Sequence, residues 1–191
     1  MTLATSAGAR RHVRAIGGYS AILGGLLFVL ASLNQSFIGL DRTQSTLLAS
    51  VAGLLLACGE VALVRDFGRA HPGVAAAVSA LLALAAVLTA IGLYSLLSAG
   101  AIVGIVFAAF GILPWVLAAP IVAVGNARHG LLSRPPAIAL ATMTTLIFVA
   151  TAARIDSVVI ISFVAYGLAW TWVGLALLDG AMRRARSIGK P

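Results

Sequence analysis

The chain has 191 residues, of which 61% are hydrophobic and only 9% are charged. A water-soluble domain is typically about 45–50% apolar and about 25% charged, so the composition excludes a soluble globular domain and predicts membrane spans. The formal charge of +8 does not indicate a nucleic-acid partner, because the basic residues lie between apolar segments and not along one face.

Six apolar segments follow one another along the chain, and each is close to the roughly 17–25 residues that a transmembrane helix needs. They cover residues 15–33, 46–64, 74–97, 102–124, 137–153 and 158–178. The first segment is interpreted as a span and not as a cleaved signal, because it is long and rich in glycine. We therefore expect an all-α polytopic integral membrane protein, a single domain over residues 1–191, built as a bundle of six transmembrane helices.

The basic residues predict the orientation of this bundle. Eleven of the thirteen Lys and Arg lie before the first segment, between the second and third, between the fourth and fifth, or after the sixth; only Arg42 and Arg154 lie elsewhere. Because Lys and Arg are retained on the cytoplasmic side, both termini are expected to be cytoplasmic, with residues 1–14 and 179–191 as basic tails. The Arg- and Ala-rich composition is typical of bacteria, so the expected location is the bacterial inner membrane.

Glu60 is the only carboxylate that lies well inside a predicted span. Helical spacing places it on the same face as Gly53 and Ala57, and small residues mark the surfaces where membrane helices meet. We therefore expect its side chain to face the interior of the bundle, about one turn from the cytoplasmic end of its helix.

A carboxylate in the hydrocarbon region is costly, so Glu60 has two interpretations. In the functional interpretation it binds a cation, a proton or a basic group of a solute. In the structural one its side chain extends about one turn to the cytoplasmic interface, or it forms an ion pair with a basic residue near the same end of the bundle. The candidates for that pair are Arg14, Arg65 and Arg128.

A substrate-lining hypothesis follows from the residues expected in the same half of the bundle. Pro114 lies in the middle of the fourth span and predicts a kink, and interrupted helices often line transporter sites. The hypothetical lining consists of Glu60, Pro114, Trp115, Tyr166 and Trp170. The competing interpretation is that these aromatic residues are ordinary core or lipid-facing groups.

Small residues at helical spacing predict the contacts between helices. On the first, second and sixth spans the predicted packing residues are Gly17, Ala21, Gly25, Gly53, Ala57, Gly167 and Gly174. The third span carries a comparable stripe, formed by Ala76, Ala80, Ala83, Val87 and Ala90.

No catalytic or nucleotide-binding motif occurs in the sequence, so we expect no enzymatic activity and no cofactor. The histidines, His12, His71 and His129, lie outside the spans and show no helical i, i+4 spacing, so they are interpreted as solvated residues and no metal site is expected. The single cysteine, Cys58, excludes an intramolecular disulfide.

The size, the six spans and the cytoplasmic termini resemble the substrate-binding subunits of energy-coupling-factor vitamin transporters. The resemblance is one of layout, and it implies that small residues of the first helix, here Ala21 and Gly25, contact a partner subunit. The expected function is transport-related, as a small permease or a membrane solute-binding subunit. The alternative is a non-catalytic accessory or scaffold protein that acts through helix–helix contacts. The expected partners are the lipid bilayer and a second copy or a membrane partner subunit, with no nucleic acid.

Overall fold

Six helices make up the fold in the computed structural model, which describes residues 3–34, 39, 41–68, 71–98, 101–129 and 132–188. Within these residues the chain contains no strand. The helices are α1 (Leu3–Leu33), α2 (Arg42–Phe67), α3 (Pro72–Ser98), α4 (Ala101–Arg128), α5 (Arg134–Ala152) and α6 (Asp156–Ile188).

Five of these helices are long and apolar enough to cross a membrane, which confirms the predicted all-α membrane class. The spanning stretches are His12–Leu33, Gln44–Arg65, Pro72–Gly92, Arg134–Ala152 and Ser157–Gly180. In α4 the apolar stretch among the described residues is shorter, Val116–Arg128. The backbone of α4 is nevertheless one helix of 28 residues that continues through Pro114 and Pro120.

The helices extend beyond the predicted spans at both ends of the chain. Helix α1 begins at Leu3 and α6 ends at Ile188, so most of each basic tail continues the adjoining helix. Ala and Arg are among the best helix formers, and a helix already nucleated in the membrane extends at little cost.

The first and last connections between helices have defined caps. Asp41 and Gln44 form a reciprocal capping box at the start of α2, in which the Gln44 amide donates to Asp41 Oδ1 at 2.7 Å. At the end of α5, Arg154 has a φ of 56°. The Arg154 amide donates to the Thr151 carbonyl and the Ile155 amide donates to the Ala150 carbonyl, each at 3.2 Å, which is the Schellman arrangement that usually places glycine at this left-handed position.

Five helices close into a ring in the order α1, α2, α4, α5, α6, and α3 lies outside it. Helix α1 packs most extensively against α6 and α2, whereas α3 packs mainly against α4. The ring therefore brings one face each of α2, α4 and α6 toward a common interior, where Leu63, Val122, Tyr166 and Trp170 are almost fully buried.

Glycines allow α1 to pack closely against both of its neighbours in the ring, α6 and α2. A Cβ atom on Gly25 would lie 2.5 Å from the Gly167 carbonyl oxygen, and one on Gly174 would lie 2.6 Å from that of Gly18. The backbones of α1 and α6 are therefore in direct contact, as in other close helix pairs of membrane proteins. On the other side of α1, Gly17 lies directly against Ala62 of α2.

Helix α3 does not bury the small-residue stripe that its sequence suggests. Ala76, Ala80, Ala83, Val87 and Ala90 are all exposed. The buried face instead carries Ala75, Val78, Leu82, Ala85 and Thr89. Thr89 and Ala85 contact the backbone of α4 at Gly111, so the position of α4 decides which face of this uniformly apolar helix is covered.

Candidate functional site

Glu60 faces the interior of the ring, as its place on the Gly53–Ala57 face predicts. Its side chain is 1% exposed, and neither carboxyl oxygen has a hydrogen-bond partner among the described residues. The adjacent Gly59 packs against Ala21 of α1, which fixes the rotation of α2 and turns Glu60 away from lipid.

Two aromatic residues of α6 are buried one turn apart, and the first of them lies near Glu60. Tyr166 is 1% exposed and lies close enough to Glu60 for an electrostatic interaction between the two side chains. Trp170, one turn further along α6, is fully buried. Its indole N–H lies beside the Tyr166 hydroxyl but does not reach hydrogen-bond geometry, so it is a second buried polar group with an unused bond.

Phe28 of α1 holds the Tyr166 ring in place. The two rings meet edge to face with centroids 5.6 Å apart, and Phe28 also contacts Phe163 at 5.8 Å. Such contacts stabilise a defined ring orientation, so the Tyr166 ring is packed on the side of α1.

Asn126 of α4 ties this interior to α2 one turn beyond Glu60. Its Nδ2 atom donates to the Leu63 carbonyl and to the Val122 carbonyl, both at 2.9 Å, while its Oδ1 atom has no partner among the described residues. The bond to Leu63 fixes the register of α4 against α2. Three helices therefore each direct a buried polar group with unused hydrogen-bonding capacity into the same part of the bundle.

The same register locates the prolines of α4. The Leu63–Asn126 contact comes after Glu60 along α2 and after Pro114 along α4. At a rise of 1.5 Å per residue, Glu60 lies about 4.5 Å before the level of this contact and Pro114 about 18 Å before it. Pro114 is thus about 13 Å from the level of Glu60, while Pro120 lies about one turn from that level. Of the hypothetical lining, the structure brings together Glu60, Tyr166 and Trp170; the Trp115 side chain lies outside the described residues.

The basic residues considered as partners of Glu60 make no hydrogen bond to it in the described part of the chain. Arg14 is 5% exposed, and its Nη1 atom lies 4.0 Å from the place of a Cβ on Gly180 in α6. Arg65 and Arg128 are exposed. Neither oxygen of Glu60 accepts a hydrogen bond from any side chain in the part of the chain that the structure describes.

The predicted packing residues all lie at or near contacts between helices. Gly17 and Ala21 contact α2, while Gly25, Gly167 and Gly174 form the contact between α1 and α6. Gly53 is buried, and Ala57 is partly buried against the core. Ala21 and Gly25 are thus occupied by helices of the same chain, contrary to the partner contact that the layout resemblance implies.

A second group of residues was not expected from the sequence. His71 precedes α3 and His129 follows α4, yet their Nε2 atoms are 2.9 Å apart. Both rings are exposed and stack around Phe67, with centroids 5.1 and 6.2 Å from its own. No spacing rule could find this pair, because 58 residues separate its members.

Comparisons of this chain with protein families, with curated proteins and with solved structures gave no match. The chemistry of the site is therefore argued from its own residues. A buried carboxyl group without a hydrogen-bond donor must be neutral or accompanied by a cation. Glu60 can thus take up a proton or a cation, and the ring faces of Tyr166 and Trp170 are suited to contact a cationic group.

Proposed function

We propose that this chain is a six-span protein of the bacterial inner membrane that takes part in transport, as a small permease or a membrane solute-binding subunit. Glu60 is the group that binds the transported or coupling cation or proton, and Tyr166 and Trp170 line its site. The observation that supports this proposal is the pair of Glu60 oxygens, buried inside a ring of helices with no hydrogen-bond donor among the described residues. Intramembrane carboxylates of this kind commonly mark ion pathways and proton relays.

In this proposal α4 also crosses the membrane, which brings the number of spans to six. Its 28 helical residues reach about 42 Å, which exceeds the thickness of the hydrocarbon core. With six spans, both termini lie on the same side, and the eleven-to-two distribution of Lys and Arg supports the cytoplasm as that side.

The orientation is tested with single cysteines in a Cys58→Ser background, so that the introduced residue is the only thiol in the chain. Arg42→Cys and Arg134→Cys place the label at the first residues of α2 and α5, at opposite ends of the bundle in this proposal. We expect a membrane-impermeant maleimide to label position 42 on intact cells, and position 134 only after permeabilisation. The reverse pattern would overturn the orientation.

The transport role is tested by ion flux in proteoliposomes that contain a pH-sensitive dye. Wild-type protein is challenged with a pH gradient, with Na⁺ and K⁺, and with guanidinium and primary amines. We expect cation-dependent flux for the wild type and none for Glu60→Gln. The matched control is Asp41→Asn, which also replaces a carboxylate by an amide in the α2 segment but keeps a good N-cap residue, and its flux should equal that of the wild type.

Flux that is equal in Glu60→Gln and the wild type would exclude Glu60 from transport. Wild-type flux that does not exceed that of protein-free liposomes under every challenge would reject the proposal of a permease for H⁺, Na⁺, K⁺, guanidinium or these amines. A solute-binding subunit is then tested by binding, with the intrinsic tryptophan fluorescence of the chain, to which Trp170 contributes, as the signal and the same two variants.

The second candidate function is that of an accessory protein acting through helix–helix contacts. The exposed alanine face of α3 favours it, because small residues in membrane proteins usually meet another helix. Ala80→Leu and Ala83→Leu would widen this face. A loss of self-association or of a co-purifying membrane protein, with Glu60→Gln behaving as the wild type, would favour this function over transport.

A further inference from the structure

The His71–His129 pair lies at one end of the bundle, where the ends of α2 and α4 meet the start of α3. We propose that these two residues form a binding site for a divalent transition-metal ion, and that Cu²⁺ fits it best. The site is separate from Glu60, and the proposal does not depend on a transport function. Both rings are exposed, so an ion from solution can reach them.

The distance between the two nitrogens fits two ligands of one ion. Imidazole nitrogens bind such ions at about 2.0 Å, so two neighbouring ligands of a square-planar ion lie about 2.8 Å apart, and two ligands of a tetrahedral ion about 3.3 Å apart. The observed separation of Nε2 atoms is 2.9 Å. It matches the square-planar arrangement that Cu²⁺ and Ni²⁺ adopt, and Cu²⁺ binds nitrogen ligands more tightly than Ni²⁺ or Zn²⁺.

The backbone holds both histidines in position without the ion. The His71 amide donates to the Phe67 carbonyl at 3.2 Å, and the His129 amide donates to the Gly125 carbonyl at 3.3 Å. The Phe67 ring occupies the space above Gly125 that a side chain there would fill. Because both anchors belong to one packed contact, little conformational freedom remains to be lost when an ion binds.

Metal binding changes only which nitrogen of one imidazole ring carries a proton. Without metal, one Nε2 atom donates its hydrogen to the other. When the ion binds, that ring changes tautomer: Nε2 gives its proton to water while Nδ1 takes one from water, so both rings stay neutral and each offers an Nε2 lone pair to the ion. Among the described residues no group of three or more His, Cys, Asp or Glu could hold a metal, so water occupies the remaining positions and no redox change is involved.

The test uses the full chain, purified without a polyhistidine tag and held in nanodiscs of zwitterionic lipid. Cu²⁺ is titrated against excess glycine as a competing chelator, and the bound ion is examined by electron paramagnetic resonance. We expect one Cu²⁺ per chain with coupling to two imidazole nitrogens. His71→Ala and His129→Ala should each lower the affinity by about 100-fold, because the second ligand no longer binds intramolecularly.

His12→Ala is the matched control, since His12 is also exposed but lies on α1, and it should bind Cu²⁺ as the wild type does. His71→Gln is included so that loss of binding can be separated from loss of folding, which is followed by thermal denaturation. The proposal is overturned if the wild type takes no Cu²⁺ from glycine, if only one nitrogen couples to the ion, or if folded His71→Gln and His129→Ala bind like the wild type.

Discussion

Replacing Glu60 by methionine should stabilise the protein, although a buried side chain is changed. The methionine side chain is similar in length to that of glutamate, and its thioether does not need the hydrogen-bond partners that a buried carboxyl group needs. The two Glu60 oxygens are buried without donors among the described residues, and a buried unsatisfied polar group costs about 1–3 kcal/mol. Glu60→Met removes that cost, so we expect the free energy of unfolding to rise by about 1–3 kcal/mol.

The size of the effect is measurable by thermal denaturation in nanodiscs and by equilibrium unfolding in mixed micelles. In a chain of this length, 1 kcal/mol shifts Tm by about 2–4 °C, so Glu60→Met should raise Tm by several degrees. Glu60→Gln keeps two polar groups at the same place and should change Tm little. Leu63→Met is the packing control, because Leu63 is equally buried on the same helix, and this swap should cost less than about 1.5 kcal/mol.

The sign of the change distinguishes a functional group from a structural ion pair. Removing one partner of a buried pair typically costs about 3–5 kcal/mol. A loss of that size in Glu60→Met, with Leu63→Met near neutral, would refute the inference that Glu60 lacks a partner. If Glu60→Met gains stability and loses flux, Glu60 belongs to a functional site that is retained although it destabilises the protein.

Three further changes test the packing and the connections. Gly167→Ala places a Cβ 2.7 Å from the Gly25 carbonyl oxygen and should lower the free energy of unfolding by about 1–3 kcal/mol. The control is Gly73→Ala, whose Cβ meets nothing within 4 Å and which should be neutral or slightly stabilising. Equal effects of the two changes on Tm would contradict the close contact. Asn126→Ala removes the bond between α4 and α2 and should cost about 0.6–1.7 kcal/mol in mixed-micelle unfolding; no loss would mean that the bond contributes nothing. Arg154→Gly relieves the left-handed conformation and should add about 1 kcal/mol in the same assay. Arg154→Ala, which removes the charged side chain but keeps Cβ, should not; equal gains would attribute the effect to loss of the side chain beyond Cβ.

The inward orientation of Glu60 was predictable because it depends on one helix alone. The spacing of Gly53, Ala57 and Glu60 places all three on one face, and α2 turns that face toward its neighbours. The companions of Glu60 were only partly predictable. Tyr166 and Trp170 follow it by more than a hundred residues, and only the closure of the ring, with α1 packed against both α2 and α6, turns them toward the same interior.

The α3 stripe shows where the same reasoning fails. Small residues predict a face that can approach another helix, but they do not say whether a helix is there. Because α3 lies outside the ring, it buries the face with Thr89 and Ala85 against Gly111 and leaves Ala80 and Ala83 exposed.

The sequence by itself determined the all-helical membrane class and the approximate positions of the helices. These are local properties, since each segment must be apolar over a sufficient length and must satisfy its own backbone hydrogen bonds. Tertiary structure decided which helices form the ring, which groups surround Glu60 and that His71 meets His129. Those contacts depend on the fit of backbones at glycines such as Gly25 and Gly167, and such a fit is a property of pairs of helices that neither segment carries alone.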